Sequence, residues 1–155
     1  MQRMEKTFEI GVPVHAVYNQ WTQFEEFPQF MDGVKEVRQL DDTHLHWRAE
    51  IWGKEKEWDA EITEQEPDQR ISWKSVSGAE NAGTVRFEPL GADRTLVRLV
   101  MAYDPDDVVE KVGDALGLFT SRVEHSVEQF KRYIESRGQE TGAWRGEVDG
   151  GERVN

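Results

Sequence analysis

His44 and His46 stand two residues apart in a stretch of alternating apolar and polar residues, so both imidazoles share one face of a strand, as a metal centre would need. A third ligand would have to come from Asp59 or Glu61 on an exposed face, and the sequence has no cysteine to supply a thiolate. Imidazoles opposite carboxylates across strands are more simply solvated ion-pair partners, and no metal is assigned. Glu55, Glu57, Asp59 and Glu61 form the outer row of one strand and read as a solvated face. Ser75 and Ser77 have no inward histidine to activate them, and no glycine-rich phosphate loop follows a strand. Glu64 shares the inward parity near a strand end and is the best inward candidate for acid–base work. No catalytic residue and no cofactor is assigned.

The inward rows carry different chemistry. Leu45, Trp47, Ala49 and Ile51, then Trp58, Ala60 and Ile62, then Ile71 and Trp73 alternate with charged residues. That is more aromatic surface than a small sheet needs to close against one helix. Indoles at these positions either fill a core or line a cavity. Ser75, Thr95 and Tyr103 are the polar groups expected on the same face, available to a ligand carbonyl or hydroxyl. Arg48, Arg86 and Arg98 all fall on the outer set.

The elements that must position these rows follow from patterning. With 155 residues and 37% hydrophobic content, a single core and one domain are expected. A net charge of −12, without a Lys/Arg run, argues against nucleic acid and anionic membrane surfaces as partners. No apolar window reaches the roughly 18 residues of a spanning helix and the start lacks an apolar leader core, so no stable membrane insertion and a cytoplasmic location are expected. Met4, Phe8 and Ile10 alternate in a first strand ended by Gly11. Pro13 opens a helix carried by Val14, Val17, Tyr18 and Trp21, and a short second helix or turn spans Glu25 to Met31, where Phe24, Phe27, Phe30 and Met31 cap one end of the core.

Facing residues of an antiparallel hairpin must share a face, which tests the register of the strands that follow. A two-residue loop at Trp52-Gly53 pairs Trp47 with Trp58 and Leu45 with Ala60 inside, and His46 with Asp59 outside. A type I turn at Pro67-Asp68 pairs Ile62 with Trp73 and Ala60 with Ser75. A three-residue loop at Gly91-Ala92-Asp93 sets Phe87 against Val97 and Val85 against Leu99. From Asp106 to Arg137 the apolar stripe Val109, Val112, Leu116, Phe119, Val123, Val127, Phe130, Ile134 predicts a long amphipathic helix stopped by Gly138, with a bend or close approach at Gly113 and Gly117. Residues 139–155 form a polar tail expected to be mobile except around Trp144, which either docks or stays disordered.

Ile10-Gly-Val-Pro-Val-His-Ala-Val-Tyr18, the Phe27-Pro-Gln-Phe30 element, Trp58 to Ile62 followed by Pro67-Asp-Gln-Arg-Ile-Ser-Trp73, Gly83-Thr-Val-Arg-Phe87 and the closing helix together resemble the START-like, or SRPBCC, superfamily, within it the polyketide cyclase/dehydrase and coenzyme Q-binding branch. The resemblance covers residues 1 to about 138. It implies an α+β helix-grip fold: a curved antiparallel sheet of about seven strands wrapped around the long C-terminal helix, with two short helices after the first strand. Residues 1–138 would then be one START-like ligand-binding domain. It also implies an internal pocket for a hydrophobic small molecule such as a lipid, an isoprenoid quinone or a polyketide. On that reading the ligand-binding set is Trp47, Ile51, Trp58, Ile62, Trp73, Ser75, Val85, Phe87, Leu99, Met101, Tyr103, Leu116 and Phe119. A polyketide cyclase, aromatase or dehydratase is the enzymatic alternative, and a protein-interaction module a third. The outer placement of the arginines favours a non-catalytic binder, and oligomeric state is left open, with a homodimer among the options.

Overall fold

In the computed structural model, residues 2–51, 54–104 and 115–155 are described, Ile51 and residues 115–119 in backbone only. The elements run β1 (Gln2–Ile10), α1 (Val14–Trp21), a 3-10 helix η1 (Phe24–Gln29), β2 (Val34–Gln39), β3 (His44–Ile51), β4 (Lys54–Glu66), β5 (Arg70–Gly78), β6 (Asn81–Gly91), β7 (Arg94–Tyr103), α2 (Ala115–Arg137), β8 (Val148–Asp149) and β9 (Glu152–Arg153). The Trp52-Gly53 loop, the expected helix start near Asp106 and the glycine at 113 lie outside the described residues.

The sheet is antiparallel and ordered β1-β7-β6-β5-β4-β3-β2, with the two-residue strands β8 and β9 joined at β4. Its inner face grips α2, whose Val127, Phe130 and Ile134 are buried. This is the helix-grip arrangement. Trp47 faces Trp58, His46 faces Asp59 and Leu45 faces Ala60, as the shared-face argument requires. Ile62 meets Trp73 and Ala60 meets Ser75, and Val85 meets Leu99.

Differences arise where the chain bulges or turns. At Pro67-Asp68 the Gln69 N–H reaches Glu66 O at 3.0 Å, but Asp68 has φ 63°. A positive φ at the third turn residue belongs to type II, not to the expected type I. Asp tolerates that backbone better than most residues, and its carboxylate is held here by Arg145. The β6–β7 loop is two residues, Ala92-Asp93, because Leu90 bulges out of β6 and absorbs the odd residue. In β4 the pairing steps from Ile62–Trp73 to Glu64–Ser72, leaving Thr63 as a bulge. Past a bulge the faces exchange. Gln65 is therefore the buried side chain, and Glu64, expected inward, lies outside with its Oε2 2.6 Å from Arg70 Nη2.

The tail also departs from expectation. Every residue of α1 from Ala16 to Trp21 is buried, including Asn19 and Gln20, and buried amides need partners. The tail supplies them. Gln20 donates to Thr141 Oγ1 at 3.2 Å and accepts from Thr141 N–H at 3.0 Å. Trp144 N–H donates to Thr22 Oγ1, and Arg145 reaches Asn19 Oδ1 at 2.6 Å and both Asp68 oxygens at 3.0 and 2.7 Å. Val148 and Asp149 then pair with Gln65 and Glu64, extending the sheet where β3 has already ended.

Candidate functional site

A cavity of about 200 Å³ lies between the inner face of the sheet, η1 and α2. One wall is the Trp47–Trp58 pair, indoles 9° from parallel with centroids 5.7 Å apart. Their strands bring them together because Trp47 and Trp58 are directly opposite in the β3–β4 ladder. Trp73, the next indole, lies over Gly83 of β6, its cross-strand partner. Phe27 from η1 abuts Trp47 at 5.7 Å and Trp21 at 6.1 Å, and Trp21 packs edge-on against Phe130 at 4.9 Å. Ile62, Ile71, Leu99 and Phe130 form the deep, fully apolar end.

Polarity is concentrated toward the opposite end. Asn81, Tyr103 and Ser126 line the wall, and Asp32, Lys56 and Arg122 border it near Gly33. The Asn81 side-chain N–H₂ donates to Ala79 O at 3.1 Å, which fixes the amide at the β5–β6 turn. Arg122 Nη1 donates to Asp32 O at 3.1 Å, and His125 Nε2 lies 2.7 Å from Asp32 Oδ2. Helix α2 is thereby tied to the η1–β2 connection beside the cavity.

Of the thirteen side chains expected to meet a ligand, Trp47, Trp58, Ile62, Trp73, Leu99, Met101 and Tyr103 line this cavity. Val85 and Phe87 face the same side of the sheet but are sealed off: Phe87 is covered edge-on by Tyr18 at 5.4 Å and Trp21 at 5.9 Å, and Val85 is fully buried. Ser75 is spent on structure, its hydroxyl accepting the Asn81 N–H at 3.0 Å. The Thr95 hydroxyl likewise donates to Val12 O at 2.8 Å. The side chains of Ile51, Leu116 and Phe119 lie outside the described residues. Sequence reasoning missed Lys56, which continues the inward parity of Trp58, Ala60 and Ile62, and missed Phe24, Phe27 and Met31 as cavity walls rather than caps.

The histidines sit on the outer face. His46 Nδ1 is 2.6 Å from Asp59 Oδ1 and its Nε2 3.2 Å from Glu57 Oε1. The Asp59 hydrogen bond raises the His46 pKa and lowers that of Asp59. His44 contacts Asp41 at 2.9 Å and Glu61 at 3.5 Å. These are imidazole–carboxylate pairs, and no group of three or more potential ligands suited to a metal occurs among the described residues.

With fold and cavity in hand, comparison with known proteins is decisive for ancestry. Residues 10–132 match the family model described as polyketide cyclase/dehydrase and lipid transport. The chain belongs to this family. A protein from Streptomyces lincolnensis, described as an uncharacterized 17.2 kDa protein in the melC2-rnhH intergenic region, is similar at 54% identity over 96% of this chain and 99% of its own. Among solved structures, a Deinococcus radiodurans protein superposes with TM-score 0.70 at 28% identity, over 88% of this chain and 99% of that one. A START superfamily protein from Mycobacterium smegmatis gives 0.68 at 18% identity, over 87% and 95%. The Zhui aromatase/cyclase from Streptomyces sp. R1128 gives 0.66 at 15% identity, over 88% and 93%. The last two likenesses speak to the fold. Among the described residues no helix is long and apolar enough to cross a membrane.

Proposed function

We propose that this family member binds a hydrophobic small molecule in its internal cavity and carries it unchanged. The observation that carries this reading is the wall: three tryptophans, Trp47, Trp58 and Trp73, border open volume instead of packing solid against the helix. Apolar concave sites with a few convergent polar groups are the usual form of small-molecule pockets. The lipid-transport branch of the family description supports the same reading. Nucleic acid is a poor partner for a chain of net charge −12.

Native mass spectrometry of protein purified without denaturation is expected to find an apolar compound, and Trp58→Ala to weaken uptake of an apolar fluorescent probe. Failure of the unaltered protein to take up any apolar probe overturns the reading.

A cyclase or dehydratase acting on a polyketide-like substrate is the second reading. It is supported by the ionisable Tyr103 and Lys56 on the wall, which could polarise a carbonyl. Incubation with a linear poly-β-ketone thioester separates the two: cyclised product above the buffer rate, lost in Tyr103→Phe, establishes catalysis, and a rate equal to buffer removes it.

A further inference from the structure

Size narrows what the cavity takes. A dry apolar cavity of about 150 Å³ accommodates a benzene, so the about 200 Å³ here suits one ring or two fused rings and is too small for four fused rings or a long acyl chain. Shape asks for a flat occupant, since the near-parallel Trp47 and Trp58 indoles offer a ring a stacking surface.

The polar wall decides the rest. Asn81 is pinned twice at the start of β6: its main-chain N–H donates to Ser75 Oγ at 3.0 Å and its side-chain nitrogen to Ala79 O at 3.1 Å. A carbonyl oxygen only accepts, so the amide nitrogen must be the atom turned to Ala79, and what Asn81 has left to offer is Oδ1, an acceptor. Ser126 stands on the facing helix. With Val123, Val127 and Phe130 it makes a face of α2 that borders the cavity, at three- and four-residue spacing, and it is the polar member of that set. Among the described residues neither Asn81 Oδ1 nor Ser126 Oγ has a hydrogen-bond partner. Both groups are neutral. A carboxylate has no proton to donate to Oδ1 and would bring its charge into an apolar space, while the cations at the mouth already have partners, Arg122 on Asp32 O at 3.1 Å. A hydroxyl suits both walls, donating to Oδ1 and accepting from the serine O–H.

We propose that the occupant is a neutral planar aromatic alcohol of one or two fused rings, its rings against Trp47, Trp58 and Trp73 and its hydroxyl held by Asn81 and Ser126. This rests on the binding reading above and specifies its ligand class.

The test titrates the full-length protein by calorimetry with 2-naphthol, with 2-fluoronaphthalene, which matches it in size but has no donor, with 2-naphthoate, and with palmitate and 1-hydroxypyrene as oversized probes. Naphthol is expected to bind about fivefold more tightly than fluoronaphthalene, the scale of one neutral hydrogen bond, and more tightly than the other three. That preference is expected to shrink in Ser126→Ala and in Asn81→Ala and to persist in Ser136→Ala, whose hydroxyl bonds Tyr133 O at 3.1 Å at an exposed position of α2. Alanine suits a helix, so Ser126→Ala decides the matter even if the Asn81 variant fails to fold. Equal affinity for naphthol and fluoronaphthalene, tighter binding of naphthoate, palmitate or hydroxypyrene than of naphthol, or an undiminished preference in Ser126→Ala overturns this inference and leaves the cavity reading standing. Failure of all five probes to bind overturns both.

Discussion

Trp73 rests on Gly83: a methyl group at Gly83 would lie 2.5 Å from Trp73 Cζ2 and 2.8 Å from the Val100 carbonyl oxygen. The indole can move, the backbone oxygen cannot, so the alanine variant is overpacked in a way that a rotamer change does not fully relieve. Gly83→Ala is expected to destabilise by about 1–3 kcal/mol, read as a lower urea midpoint at constant slope, and to alter the quenching of the cavity tryptophans by apolar probes.

The tail hangs on Arg145, which joins Asp68 with two hydrogen bonds, bonds Asn19 and lies 5.6 Å from the centre of the Tyr18 ring. Because the guanidinium is partly exposed, its contribution is that of a well-aligned surface pair, about 1 kcal/mol. Arg145→Ala is expected to cost that much and to speed proteolytic cleavage between residues 138 and 148, while the sheet resists as before. Unchanged cleavage would mean that Gln20, Thr22 and the β8–β4 pairing hold the tail without Arg145.

His46 and Asp59 make stability depend on pH from both sides. The folded His46 pKa is raised above its ordinary 6.5, so its contribution is full below 6.5 and is lost as pH rises through the folded value. The folded Asp59 pKa is lowered below 3.8, so its contribution is full above 3.8 and is lost as pH falls through the folded value. The pair thus stabilises most between these limits. Denaturation midpoints measured from within that range to pH values above the His46 transition, in the unaltered protein and in His46→Gln, are expected to converge once that transition is passed.

Burial pushes the Tyr18 pKa up to about 12, opposed by the neighbouring Gln65 amide and the Arg145 charge. An acid whose folded pKa is raised loses stability once pH passes its unfolded value, here 10.0. Tyr18→Phe is expected to remove a phenol that ionises near pH 12 from an absorbance titration and to flatten the fall in stability above pH 10.

Register was readable wherever two strands could check each other: Trp47 against Trp58 and His46 against Asp59 satisfy both faces at once. What escaped reading was any place where one residue is left over. Thr63 turns Glu64 out and Gln65 in, Val76 bulges between Ser75 and Ser77, and Leu90 shortens the β6–β7 loop. Alternation carries no signal for a bulge until something nonlocal, here the tail strand β8, selects it. The tail itself was illegible from its own polar composition. Its signal lay elsewhere, in Asn19 and Gln20 on a helix otherwise made for burial. Lys56 could have been found by parity alone, since it sits two residues before Trp58. Val85 and Phe87 had the right parity, but parity along a strand does not tell which stretch of the inner face α1 covers.

Among the described residues strand β1 has only β7 for a neighbour, with Gln2 opposite Tyr103 and Ile10 opposite Thr95. β1 is synthesised well before its partner and must therefore wait, its amides satisfied by water, until Tyr103 is available. Closing a loop of that length before any reward makes for slow acquisition of the native state. In a cell, the interval leaves an alternating strand exposed to other chains, and Glu5, Lys6 and Glu9 along it are the charges that discourage such encounters.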